Sequence, residues 1–349
     1  MRKKSSIEDI FLSEITRFKN KTLLACVSGG VDSMVMLFLL DKFSKNLNIA
    51  FSVLTVNHRI RSDKETQKDI SIIQNFCDTH SIPLYIHDLG KSALKNCAKE
   101  RKKGTEEAAR FLRYHSFAEY AEKTHSDAIF LAHNQDDNLE TIIQRFLQGS
   151  FGKSSSGILK ERELFFRPLL SVSKDEIKEY AFKKKITFHE DSTNTDEKIL
   201  RNSIRLNIIP LLNEKFPGWK TGLLHGAHKN ELAFDLIDNL SEKIKWNKCQ
   251  KGLETDADIF ESQHISVRLT SLKKALDLLH PAERISNENL EKFALSLKPF
   301  SASSFRFFKE KNFIKIVEEV RTKSSFFVII DKNKKDSLFC FYSDEEKDL

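Results

Sequence analysis

Glycine and proline are scarce, at 11 and 6 of 349 residues. That excludes collagen-like repeats and Pro-rich disordered chains. Cysteine is also thin. Cys26, Cys77, Cys97, Cys249 and Cys340 are scattered, odd in number and never in a CxxC pair. A disulfide framework, a zinc knuckle and a closely spaced cysteine-bound cluster are therefore excluded, and free thiols in a reducing compartment are expected. Long apolar runs are missing as well. The longest, Met34 to Leu40, falls far short of the roughly 20 residues of a membrane span. The mean hydropathy is −0.41. The N-terminal MRKKSSIEDIF is basic, but acidic residues interrupt it before an apolar segment develops, so no signal peptide is expected. The chain is expected to be cytoplasmic, with no membrane partner and no obligate protein partner.

What is present is ample core material. Hydrophobic residues make up 40% and charged residues 31%, with 28 Phe. The net charge of +7 is compatible with nucleic-acid binding without establishing it. The length predicts two or three domains. Strand patterns at 21–27, 49–56, 84–86 and 128–132 alternate with helical patterns at 34–43, 65–80 and 105–124. Ala109, Leu112, Phe117, Ala118 and Ala121 are available for the inner side of the last of these. Such alternation predicts βαβ units and an α/β fold with a doubly wound parallel sheet. Ser173 is expected to cap the helix that follows it, with Glu176 completing a capping box. Phe216-Pro217-Gly218 breaks the pattern. A first domain is expected over 1–217. Residues 218–349 would hold a helical connector (221–246) and a smaller α+β domain.

The most informative segment is Ser28-Gly29-Gly30-Val31-Asp32-Ser33, between a strand and a helix. Two glycines permit a tight turn and close backbone approach to an anion. The helix N-terminus adds N–H groups and a positive dipole end, and two serines add hydroxyl donors. No GKS or GKT follows, so this is not the usual nucleotide P-loop. SGGxDS after a first strand resembles the PP-loop of the ATP pyrophosphatases, which cleave ATP between its α and β phosphates.

Further motifs narrow the resemblance. VNHRIR spans 56–61. Glu106-Glu107-Ala108-Ala109-Arg110 leads to Arg113-Tyr114. Leu131-Ala132-His133 precedes Asp136-Asp137 and Glu140-Thr141. Arg167-Pro168-Leu169-Leu170 follows, then HEDSTN at 189–194 and Arg201-Asn202, Arg205 and Pro210-Leu211-Leu212. This ordered set resembles the tRNA(Ile)-lysidine synthetases over about 20–215, and more weakly beyond. The absence of CxxC separates the chain from the tRNA 2-thiocytidine synthetases. Lys103-Gly104-Thr105 departs from the family's usual small residue and Asn. A second C-terminal domain, found in the longest relatives, is expected to be missing.

The resemblance implies ATP and Mg²⁺ as co-substrate and cofactor, with free L-lysine and tRNA(Ile) bearing a CAU anticodon as partners. Carbon two of the wobble cytidine would be adenylated and then attacked by the lysine ε-amine. Residues 28–33, with Asn57 and His58, would bind ATP. Asp32, Arg113, His133, Asp137, Glu140 and Arg205 would be catalytic. Arg110, Asp136, Asp191, Asn194 and Arg201 would bind substrate, and Asp32 and Asp137 would hold Mg²⁺. Several alternatives stay open. Asp32 either ligates the metal or holds the loop, and Asp136 is either a ligand or a helix N-cap. Arg110 is either a contact to the reacting groups or a buried ion-pair partner. Arg201 and Arg205, four apart on one helical face, either grip RNA or form an ion-pair network. Lys183-Lys184-Lys185 is either a solvated face or a binding patch. A basic stretch with Arg306, Lys309, Lys311, Lys315, Arg321 and Lys323 is expected to contact phosphates.

Overall fold

The computed structural model describes residues 5–57, 63–90, 92–101, 104–150, 155–189, 200–281 and 285–319. It divides into two compact units, Met1–Glu231 and Leu232–Leu349. In the first, β1 (Thr22–Cys26) is flanked by β2 (Ala50–Asn57) and β4 (Ala128–Leu131). The six-stranded order is β3-β2-β1-β4-β6-β5, with β3 Leu84–Asp88, β5 Glu161–Arg162 and β6 Phe165–Phe166. All neighbours run parallel except the β5–β6 hairpin.

The near-continuous apolar strands are buried on both faces, as parallel sheets require. Leu23 and Ala25 of β1 join one core. There they pack with α1 (Ile7–Ile15), α2 (Val31–Leu47), α3 (Asp63–His80) and α7 (Lys174–Lys184). Leu24 and Cys26 alternate to the other face, against Phe117 and Ala121 of α5 (Thr105–Lys123). Ala109 and Phe117 are buried and Leu112 is half-buried as expected, but Ala118 is exposed. Ala121 is buried as expected, and Ala108 and Ser116 join the buried stripe. Each fully buried Leu or Phe contributes roughly 1.5–3 kcal/mol.

The strand order reverses at β1. The chain leaves β1 towards β2 on one side, while β4 lies on the other. Ligands of open α/β sheets bind outside the carboxyl ends of the strands at such a switch point. The segments there are Ser28–Gly30, which enters α2, and Ala132–Asn134, which enters α6 (Gln135–Leu147). Two shorter helices, α4 (Ala93–Glu100) and α8 (Leu200–Ser203), complete this part. A π-helical turn, Ile204–Ile208, joins α8 to α9 (Ile209–Lys215).

The breaker at 216–218 does separate α9 from α10 (Trp219–Ser241), but the two units divide inside α10. The first part of this helix belongs with the first unit. Lys220 pairs with Asp136 at 2.9 Å, and Ala227 is buried. The second unit carries an antiparallel sheet of order β7-β8-β11-β10-β9. Its strands are β7 Asn247–Cys249, β8 Gly252–Asp256, β9 Phe300–Ala302, β10 Phe305–Glu310 and β11 Phe313–Glu318. Leu253, Phe305, Phe307, Ile314 and Ile316 face a core shared with α11 (Ala257–Ser262), α12 (Ile265–Leu279) and α13 (Asn287–Ser296). The α+β expectation for this region is met. The basic stretch is partly neutralised, because Lys309 pairs with Glu261, and Lys315 pairs with Glu254 and Glu310. Arg306 lies over the Phe308 ring at 5.5 Å. Arg321 and Lys323 lie outside the described residues. No described helix is long and apolar enough to cross a membrane.

Candidate active site

The loop after β1 is shaped for an anion. Gly29 has φ +85°, and a Cβ placed there would lie 3.0 Å from Asp69 Cβ on α3. The Gly29 carbonyl accepts the His189 N–H at 3.0 Å, and His189 Nδ1 lies 2.8 Å from Asp69 Oδ1. Ser33 Oγ accepts the Ser28 N–H at 3.2 Å and donates to the Gly30 carbonyl at 2.9 Å. Gly30 caps α2 with no side-chain acceptor, and the Met34 N–H donates back to the Gly30 carbonyl at 3.0 Å. The N–H groups of Val31, Asp32 and Ser33 therefore point out of the helix end, where its dipole is positive. Val31 is itself buried, so it can offer a ligand only its backbone. Gly29→Ala is expected to cost about 1–3 kcal/mol through strain. Gly30→Ala, at φ −75°, is expected to cost less. Urea midpoints of the two variants test this, and equal losses would contradict it.

Asp32 meets β4's loop and α7. Asn134 Nδ2 donates to Asp32 Oδ1 at 3.0 Å, and Lys174 Nζ lies 2.5 Å from Asp32 Oδ2. The Lys174 backbone N–H donates to Asp136 Oδ2 at 2.7 Å, and Lys220 Nζ donates to Asp136 Oδ1 at 2.9 Å. Asp136 is thus not an N-cap. The cap of α6 is Asn134, in a box with Asp137. An Asn one residue before the helix presents its oxygen to the N3 N–H. Asp136, already inside the first turn, projects outward to α7.

Asp137 and Glu140 share one face of α6, as their spacing predicts, and arginines already fill that face. Asp137 Oδ2 accepts the Asn134 N–H at 3.0 Å, while Oδ1 accepts Arg201 Nη2 at 2.8 Å. Glu140, only 1% exposed, accepts Arg201 Nε at 2.7 Å and Arg205 Nε at 2.6 Å. Of the two readings of Arg201 and Arg205, the ion-pair network is the one observed here. Glu140, expected to be catalytic, is buried with its oxygens turned to the two arginines, an arrangement that suits a positioning role. Arg205 lies in the π-helical turn. Such turns are frequent at functional sites.

Beside the network lies a basic group. Burial and the charges of Arg167, Arg201, Arg110 and Arg113 push the His133 imidazolium down to about 3. Its buried Nδ1 has no hydrogen-bond partner among the described residues, nor do the buried Nε atoms of Arg113 and Arg167. Burial, with Arg110 among the nearby cations, also weakens Arg113's hold on its proton. Arg110 itself is exposed and stacks over Tyr114, with its carbon 4.9 Å from the ring centroid. It is therefore not a buried ion-pair partner. Cations crowded together, with donors left over, form a receptor for negative charge. Because His133 stays neutral, the pH–rate profile should show no inflection from it near 6.5. An inflection there that His133→Gln removes would contradict this.

Asn57 closes β2, with its amide 3.3 Å from Asp88 Oδ2. His58, Asp191 and Asn194 lie outside the described residues. Among the described residues, no three His, Cys, Asp or Glu side chains converge as a protein-only metal cage. Mg²⁺ in phosphate-transfer sites commonly uses one or two carboxylates plus the phosphates themselves. Asp32, partly exposed beside the anion loop, fits that role. Asp137 fits it less well: its oxygens are held by the α6 cap and by an Arg201 that is also locked to the buried Glu140, whereas those of Asp32 meet only the side chains of Asn134 and Lys174 among the described residues.

Residues 3–212 match the family described as the PP-loop domain. The chain is 36% identical to a Treponema denticola tRNA(Ile)-lysidine synthase over 321 residues, 89% of this chain and 70% of that protein. The chain belongs to the tRNA(Ile)-lysidine synthase family. A Borrelia garinii synthase is 35% identical over 70% of the chain and 53% of its own length. A Treponema pallidum synthase is 33% identical over 59% of the chain and 43% of its own length. The chain thus spans between about two fifths and seven tenths of these relatives. Among solved structures, the U34-tRNA thiolase NcsA from Methanococcus maripaludis covers 64% of this chain, and 77% of that chain is matched. At a TM-score of 0.53 and 20% identity, that likeness supports the fold alone.

The SGGVDS segment lies within the matched PP-loop domain. The structure brings Asp32, His133, Asp136, Asp137, Glu140, Arg201 and Arg205 together around the switch point. Arg110, Arg113 and Arg167 carry the basic side. The sequence alone assigns no role to Lys174, Lys220, Asn134 or Arg167. Arg167 lies within one of the motifs, and its flanking apolar residues are a signal of its burial. Lys174 sits 142 residues from Asp32, and nothing in its own neighbourhood marks it.

Proposed function

We propose that the protein ligates free L-lysine to carbon two of the wobble cytidine of tRNA(Ile) with a CAU anticodon, consuming ATP and releasing AMP and pyrophosphate. The observation that carries this reading is the anion loop after β1, entering α2, beside β4, whose following segment holds His133 among Arg167, Arg201, Arg110 and Arg113. The cytosine O2 would attack the α-phosphate of ATP, and the bond from that phosphorus to the pyrophosphate oxygen would break. The lysine Nε would then attack carbon two and lose a proton, and the bond to AMP would break. The product, lysidine, pairs with A in place of G and changes reading from AUG to AUA.

In this reading the α2 N-terminus and Ser28 and Ser33 cradle the polyphosphate. Arg113, with Arg110 and Arg167, offsets charge on the reacting phosphate. Neutral His133 offers a hydrogen bond without adding charge. Asp32 would hold Mg²⁺, which neutralises the leaving pyrophosphate when bound. Glu140 orients Arg201 and Arg205. Asp191, Asn194 and His58 remain candidates for the substrates. Mass spectrometry of the wobble nucleoside after incubation with ATP, isotopic lysine and the tRNA tests the reading. Pyrophosphate release without a lysine adduct on the nucleoside would refute it.

The second unit is proposed to bind tRNA through phosphates. A methionine tRNA shares the CAU anticodon, so discrimination must extend beyond it. Phosphate contacts position RNA but read little sequence. Arg306→Ala combined with Lys311→Ala should weaken tRNA binding and flatten its salt dependence, by about 0.7–0.9 in log–log slope for each phosphate no longer neutralised. Turnover at saturating tRNA should stay unchanged. An unaltered salt slope would move the RNA surface elsewhere.

A further inference from the structure

Among the described residues, Asp32, Asp136, Asp137 and Glu140 at the switch point are each already paired with a cation of this chain, so a metal-bearing nucleotide must displace one of them. The pairs are unequal. Glu140 is almost fully buried and holds two guanidinium groups, an arrangement costly to open. Asp136 is held by Lys220 and by a backbone N–H that cannot swing away. The Asp32–Lys174 pair is different. Its cation is one flexible ammonium, and the carboxylate's other donor is the Asn134 side-chain amide rather than a backbone N–H. Asp32 also belongs to the first turn of α2, so the Lys174 ammonium lies beside the anion loop.

We propose that Lys174 is a further ATP-binding residue, whose ammonium leaves Asp32 for the β- and γ-phosphates when the nucleotide arrives with its metal ion. This inference rests on the reading of the loop as the ATP site. The exchange keeps charge balanced, since Asp32 gains the metal while Lys174 gains phosphate oxygens. The anchor that lets the side chain move without losing its place is the Lys174 backbone. Its N–H is fixed by Asp136, and Ser173 caps α7 in a box with Glu176. A four-carbon stem with three rotatable donors suits such a transfer better than a planar guanidinium.

The test is equilibrium binding of ATP and of AMP to the full-length protein, wild type against Lys174→Met and Lys174→Arg, with and without Mg²⁺. AMP lacks the phosphates assigned to Lys174. Lys174→Met should weaken ATP binding in Mg²⁺ by about 10- to 100-fold, the worth of one charge-assisted contact. AMP binding should be unchanged, and Lys174→Arg should restore part of the loss. Equal weakening of ATP and AMP would show that Lys174 only holds the fold. Unchanged ATP binding in Lys174→Met would overturn the proposal with the ATP site intact. Failure of the wild type to bind ATP would instead overturn the reading on which the proposal stands.

Discussion

Replacing Arg113 by alanine is expected to slow single-turnover adenylation by about 10²–10³, the usual loss on removing one donor aimed at transition-state charge. The argument starts from its surroundings. Its Nε is buried with no partner among the described residues, and burial works against its own charge. A guanidinium kept in that condition costs stability, and a developing negative charge would offset the cost. The nearby cations Arg110 and Arg201 raise the local potential further. tRNA affinity should change little, because Arg113 is largely buried on α5 beside His133, while the proposed phosphate contacts lie in the second unit. Lysine should restore less than arginine's full rate, since a point charge does not reproduce the planar fork. Quench-flow measurement of adenylate formation, paired with tRNA binding, checks this. A lost affinity with normal single-turnover chemistry would make Arg113 a docking residue instead.

The parts of this site that are legible in the sequence are those written within one turn of chain. SGGVDS declares itself because loop and helix start are contiguous, and the strand before it is a short apolar run. Helical spacing alone puts Asp137 and Glu140 on one face, and Arg201 and Arg205 likewise. Spacing does not say what the face meets. Both pairs point at each other, which turns two candidate ligand sets into one ion-pair network. The cap of α6 is ambiguous in sequence, because Asn134, Asp136 and Asp137 are all capping types. Only the geometry shows which oxygen reaches the N3 N–H. Ala118 is outward despite its inward expectation, because alanine fits either side of a helix. Strands of two residues, β5 and β6, are too short to show alternation. The Lys174–Asp32 pair depends on the packing of α7 against α2, and no local pattern encodes it.

Glu140→Ala is expected to destabilise the first unit by about 3–5 kcal/mol, the cost of breaking a buried pair by removing one partner. Glu140 is the hub. It accepts Arg201 Nε and both Nε and Nη2 of Arg205. Hydrogen bonding to Glu140 is the first cause that strengthens the Arg205 guanidinium's grip on its proton, ahead of the opposing effect of burial. Removing the carboxylate leaves two partly buried cations facing each other, with Asp137 and Asp32 as the nearby anions among the described residues. Arg201→Ala is expected to cost less, since Glu140 keeps Arg205, and Arg201 is itself about one-third exposed. Glu140→Gln should fall between, because an amide retains acceptor geometry without the charge. The coupling is read from a double-mutant cycle. Glu140→Ala with Arg205→Ala should lose less stability than the two single losses added, by about 0.5–3 kcal/mol, as groups in one network do. Catalysis supplies the second readout. If Glu140 acts by orienting the arginines, the double variant should be no slower than the slower single variant. Additive rate losses at unchanged fold would show that Glu140 meets the substrate itself, and its assignment as a positioning residue would be withdrawn.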